Sequence, residues 1–125
     1  MLNSSSPRKA ARLLRALGHQ DRLRIVLELA RSEACVCHLT ATLGLRQAAV
    51  SQHLAVLRRA GIVKARRDGL YVLYRLANPR IPALLDAVGL QPVPPTPPGP
   101  ASCRCPRCAA GAAAGSLTTQ GDDLG

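Results

Sequence analysis

The sequence predicts an α+β fold, mainly α, of about five helices and one β-hairpin, followed by a proline-rich, disordered C-terminal tail. Three observations carry this prediction. Apolar residues recur at helical spacing in separate stretches between residues 8 and 90. One interval, on either side of Asp68-Gly69, changes to period two. Residues 92–100 read Pro-Val-Pro-Pro-Thr-Pro-Pro-Gly-Pro, six prolines in nine, a stiff spacer of about 28 Å if fully extended. The chain of 125 residues therefore divides into an ordered domain over 8–90 and a spacer with a flexible tail over 91–125.

The first helix rests on Ala10, Leu13, Leu14 and Leu17, spaced i, i+3, i+4, i+7, and ends at Gly18. Asp21 is placed to cap the second, in which Leu23, Val26, Leu27 and Ala30 repeat the spacing and Arg22, Arg24 and Arg31 take the exposed side. After Ser32-Glu33, Ala34-Cys35-Val36 is short enough to be extended. A compact helix follows from about Cys37 to Leu43, stopped by Gly44. The next runs from about Gln47 to Ala60: Val50, Leu54 and Leu57 face inward, Gln47, Ser51, Ala55 and Arg58 share a second face, and Gly61 ends it. Residues 62–67 and 70–76 flank Asp68-Gly69, a strong hairpin signal. A last helix begins near Pro79 with Ile81, Leu84, Leu85 and Val88 at helical spacing.

Charge and composition narrow the function. Residues 1–90 hold 15 of the 17 basic and 5 of the 7 acidic side chains, so the whole formal charge of +10 belongs to the predicted domain. That field suits a polyanion. No apolar run reaches membrane-spanning length, the N-terminus lacks a secretory h-region, and there is no Trp or Phe to anchor a basic amphipathic helix at a membrane. These features predict a cytoplasmic protein with reduced thiols, and five cysteines at 35, 37, 103, 105 and 108 do not form a disulfide framework. No paired carboxylates in a plausible pocket and no phosphate-cradling glycine loop point to an enzyme.

A short helix, a glycine turn and a longer helix bearing Gln, Ser and Arg make a helix-turn-helix, and the hairpin supplies its wing. Between Gln47 and Ala60 there is no carboxylate. Gln47 and Gln52 can pair with adenine edges, Ser51 with a base or a phosphate, Arg46 and Arg58 with the DNA backbone, and Arg66 and Arg67 with backbone phosphate or the minor groove. The alternative is a helical domain with a solvated basic face.

Four stretches resemble the ArsR/SmtB family of repressors: Ala16 through Val26, Gln47 through Leu54, Arg58 through Val63, and Arg67-Asp68-Gly69 followed by residues 71–76. The resemblance covers roughly residues 8–88. It implies a homodimeric winged helix-turn-helix repressor whose first and last helices make the dimer contact. It also implies double-stranded operator DNA with inverted half-sites, and release when a metal or metalloid binds. Arg46 and Ala48 depart from the Ser and Pro that often flank the reading-helix Gln.

Glu33-Ala34-Cys35-Val36-Cys37-His38-Leu39 resembles the family's Cys-Val-Cys metal motif. A helix N-terminus at Cys37 favours the thiolate. Thr40 stands where arsenic-type members carry a third Cys, so two thiolates need further donors, which Cys103, Cys105 and Cys108 could supply from either subunit. The expected inducers are As(III), Cd(II) or Pb(II), with Zn(II) or Cu(I) as further candidates. The tail is alternatively its own three-thiolate site. His38, where the family often has Asp, is expected to be exposed or capping, with a nitrogen ligand as the alternative. The family's zinc site on the last helix is expected to be absent, because residues 78–88 offer only Asp86 and no His. His19 and His53 are expected to serve packing and hydrogen bonding. Two other functions fit the same residues: a repressor switched by thiol oxidation or persulfide formation, and a thiol-rich metal-binding protein whose basic domain contacts other proteins.

Overall fold

The computed structural model of the chain describes residues 6–91. The expected spacer and tail, with Cys103, Cys105 and Cys108, lie outside the described residues. Five helices and one hairpin follow in the order α1 (Pro7–Leu17), α2 (Gln20–Arg31), α3 (Val36–Leu43), α4 (Gln47–Arg59), β1 (Val63–Asp68), β2 (Tyr71–Leu76) and α5 (Ile81–Ala87).

Local chemistry sets most boundaries. Ser6 caps α1, its Oγ accepting from Lys9 N at 3.2 Å, and Pro7 occupies the first turn where a missing N–H costs nothing. The cap of α2 is His19 rather than Asp21: His19 Nδ1 accepts from Asp21 N at 3.1 Å, and Asp21 lies in the first turn. Gly44 closes α3 at φ +69°, a left-handed position that favours glycine. Arg46 precedes α4 without a side-chain cap, as its lack of a capping oxygen predicts.

The hairpin pairs Val63 with Leu76 through to Asp68 with Tyr71, so its two-residue loop is Gly69-Leu70, one residue later than expected. The shift has a conformational reason. Gly69 takes φ +63° and no other loop residue is left-handed, which fits a turn with glycine at its first central position. An Asp-Gly loop would force Asp68 to positive φ as well. Ala34 adds an isolated bridge to Tyr74, with N–H···O contacts of 3.0 and 2.8 Å, so the chain enters α3 from an extended segment at the sheet edge.

The core is aliphatic. Ile25, Val26, Leu39, Val50, Leu54, Leu57, Ile62 and Ile81 are sealed from solvent, and α2 touches α1, α3, α4 and β2 around them. Each such side chain contributes about 1.5–3 kcal/mol by leaving water. Two expectations about the helices are corrected by this packing. Ala16 and Leu17 are the buried residues of α1, Leu13 is half-buried, and Leu14 and Ala10 point outward. The arginines of α2 are half-buried struts. Arg22 Nε donates to Ala16 O at 2.6 Å, Arg24 bridges Asp21 (3.1 Å) and Leu43 O (2.7 Å), and Arg31 reaches Glu28 at 2.7 Å. Long stems lying on a small aliphatic core, with heads on carbonyls and carboxylates, cover apolar surface that leucines alone leave open.

Candidate functional site

Helix α4 is docked by Val50, Leu54 and Leu57, all fully buried. That anchorage leaves Gln47, Ser51, Gln52, Ala55, Arg58 and Arg59 exposed, with Arg46 exposed at the helix N-terminus. The surface offers amide, hydroxyl and guanidinium groups and no carboxylate. On the hairpin, Lys64 and Arg75 are exposed and directly opposed in the ladder. Like charges in that position oppose folding, a cost that a bound polyanion removes. Arg67 is exposed beside them.

Arg66 is differently placed. Its Nε and Nη2 donate to Glu33 Oε2 and Oε1 at 3.0 and 2.6 Å, and Asp68 lies 3.6 Å away. The hydrogen bonds to Glu33 raise its pKa above the ordinary arginine value. The side chain remains 45% exposed, with Glu33 along one edge and Asp68 facing Nη1. Glu33 opens the Cys-Val-Cys stretch, but its pairing with Arg66 was not legible because the two lie 33 positions apart.

The loop that holds Arg66 also holds the thiols. Cys35 is the N-cap of α3 and is 5% exposed; its Sγ accepts from His38 N at 3.3 Å. A sulfur facing a helix N-terminus is favoured as thiolate. Cys35 packs on Leu73 of β2, with half-buried Cys37 and Tyr71 against the same cluster. Leu73 is the ladder partner of Arg66. The segment Glu33–Cys35 is thus fastened to the wing three times: Glu33 to Arg66, Ala34 to Tyr74, and Cys35 to Leu73. Thr40, in place of a third thiol, donates its hydroxyl to Cys37 O at 2.8 Å.

His38 is neither exposed nor a cap. It is 1% exposed, with Nε2 3.1 Å from Glu28 Oε2 and 3.4 Å from Thr42 Oγ1. Its Nδ1 is buried without a hydrogen-bond partner among the described residues. The contact with α2, ten residues back, turns it inward. Asp86 on α5 is exposed and accepts from the Gln91 side chain. His19 and His53 stand together between α2 and α4, with ring centroids 4.6 Å apart.

A helix pair turning on Gly44, an exposed polar second helix and a basic hairpin define a winged helix-turn-helix protein. Residues 19–65 match the sequence model of the bacterial regulatory protein, arsR family. The chain is 48% identical over 80 residues to the HTH-type transcriptional repressor SmtB of Mycobacterium tuberculosis, over 63% of this chain and 59% of that protein. It is 46% identical over 77 residues to the arsenic resistance transcriptional regulator ArsR1 of Pseudomonas putida, over 61% of this chain and 59% of that protein. Among solved structures, HlyU from Vibrio cholerae superposes with a TM-score of 0.62 at 38% identity, covering 70% of this chain and 94% of that one. The chain belongs to the ArsR/SmtB family of transcriptional regulators, a family of regulators and not of enzymes. The match spans about 59% of the length of the two curated relatives. Among the described residues no helix is long and apolar enough to cross a membrane.

Proposed function

We propose that this protein is a cytoplasmic, homodimeric repressor that holds operator DNA without metal and lets it go when a thiophilic ion binds. Gln47, Ser51 and Gln52 read base edges; Arg46, Arg58, Arg66 and Arg67 hold phosphates. Cys35 and Cys37 provide two thiolates for As(III), Cd(II) or Pb(II), with Zn(II) or Cu(I) as weaker candidates. One or more of Cys103, Cys105 and Cys108 complete the donor set. An arsenic resistance regulator and SmtB among the relatives support this class of inducer.

The observation that carries the reading is the threefold fastening of the Cys35 loop to the wing. Ligation draws Cys35 Sγ away from Leu73 and from the α3 N-terminus. The wing loses an anchor, and Arg66 changes its aim. Dimerisation places the exposed face of α1 and α5, with Leu14 and Val88, against a second copy.

The test is an electrophoretic mobility shift on the chain's own promoter, with arsenite, Cd(II) and Pb(II) titrated in. Release by at least one ion is expected. Cys35→Ser and Cys37→Ser are expected to keep DNA binding and lose the response, since serine still caps α3. Unchanged DNA affinity at saturating ion overturns the sensing role. The α3 N–H that faces Cys35 Sγ also favours its thiolate, against the opposing effect of burial on Leu73. A second reading therefore makes the switch either a disulfide between Cys35 and a tail cysteine, formed by a two-electron oxidant such as a peroxide, or a persulfide on Cys35, formed from a sulfane-sulfur donor. Mass spectrometry after oxidant and after metal separates the two.

A further inference from the structure

One other set of ligating side chains converges among the described residues, away from the thiols. His19 is the N-cap of α2, Asp21 lies in the first turn of that helix, and His53 projects from the middle of α4. One ligand atom from each lies within 4.8 Å of the other two, and the imidazole rings are tilted by 52°. We propose that His19, Asp21 and His53 form a second cation site, for a borderline divalent ion such as Zn(II), Co(II) or Ni(II), that ties α4 to the start of α2.

Donor chemistry selects the ion class. Two imidazoles and a carboxylate suit first-row divalent cations and leave room for water; they hold As(III) or Pb(II) poorly compared with thiolates. A tetrahedral ion needs its ligand atoms about 3.4 Å apart, so the three side chains must close by up to about 1.4 Å. His19 is exposed, and Asp21 and His53 are only half-buried, so rotation of side chains suffices. The His53 pKa is lowered, first by burial and then by His19 and Arg22, against an opposing pull from Asp21.

Two existing contacts compete. Asp21 Oδ1 accepts from Arg24 at 3.1 Å, which leaves Oδ2 for the ion. His19 Nδ1 accepts from Asp21 N. A neutral imidazole that ligates through Nδ1 gives up this bond. One that ligates through Nε2 carries its proton on Nδ1 and gives it up as well. The ion thus replaces the cap of α2, and the new link joins that helix start to the helix presenting Gln47 and Ser51.

The experiment uses the untagged full chain with all five cysteines changed to serine. Co(II) is expected to bind with one equivalent per chain and a d–d spectrum free of sulfur charge transfer. Zn(II) is expected to shift the imidazole nitrogen resonances of His19 and His53. His53→Gln and His19→Asn, the latter keeping a capping side chain, are expected to weaken Co(II) by about tenfold or more. In the chain with its cysteines intact, the same substitutions are expected to leave the sulfur charge-transfer band unchanged. Absence of Co(II) binding in the cysteine-free chain, or unshifted histidine resonances at saturating Zn(II), overturns the site. Neither result depends on whether the histidine variants fold.

Discussion

Between the thiols and the core, Glu28 receives both His38 and Arg31, and all three are removed from bulk water. Glu28→Ala strands a buried imidazole and a guanidinium, and is expected to cost about 1–3 kcal/mol, read as a lower urea midpoint. Glu28→Gln retains an acceptor and loses less. Glu33→Gln is expected to leave the urea midpoint nearly unchanged, because the pair with Arg66 is solvated. Its signature is faster proteolysis of the hairpin. His53 supplies a pH dependence. Its folded pKa lies below the ordinary value of 6.5, so the unfolded chain takes up the proton first as pH falls. Stability therefore drops below about pH 6.5 in metal-free buffer, and His53→Gln is expected to flatten the profile of urea midpoint against pH. At this scale the sequence reveals only what is local. Cys35 and Cys37 announce themselves by spacing, as do the polar residues of α4. Glu33 with Arg66 and Glu28 with His38 are contacts made by the fold, and neither has a periodicity to betray it.

Helices α3 and α4 and the wing were legible because their punctuation is local: Gly44, Gly61, an apolar triad at Val50, Leu54 and Leu57, and a change of period. What was not legible is how far each stripe turns inward. The α1 stripe drawn through Ala10 and Leu14 splits, because Ala16 and Leu17, with Leu13 packed against them, are the residues of that helix that join the core. The α2 arginines bend over the core because nothing larger covers it. Helix α4 also carries an avoidable cost at its start. Arg46→Ser is expected to stabilise the protein by about 1 kcal/mol through a restored cap. If Arg46 meets a phosphate, the same change lowers the slope of log affinity against log salt by about 1. Thermal melts and salt-titrated anisotropy check the two halves separately. Gly69→Ala places a side chain at φ +63° and is expected to destabilise the hairpin by about 1 kcal/mol.

For the molecule as a whole, α1 and α5 flank a groove lined by Leu13, Leu14, Ala83, Leu84 and Ala87, with Lys9, Arg12, Asn78 and Arg80 also lining it. Leu14 is 55% and Val88 65% exposed in the single chain. Leu14→Glu is expected to give a folded monomer by light scattering and circular dichroism, with operator affinity reduced by about a hundredfold or more, because two linked reading heads become one. Retention of the dimer overturns the assignment of this face. The fastening of Glu33, Ala34 and Cys35 to the wing has a further consequence for a cell. Under the proposed mechanism, operator and ion draw on the same loop, and each weakens the other by the same factor. A promoter that grips the repressor tightly then needs more ion before it fires than one that grips it loosely. Genes under a single copy of this regulator are thereby ranked in their order of induction by the strength of their operators alone.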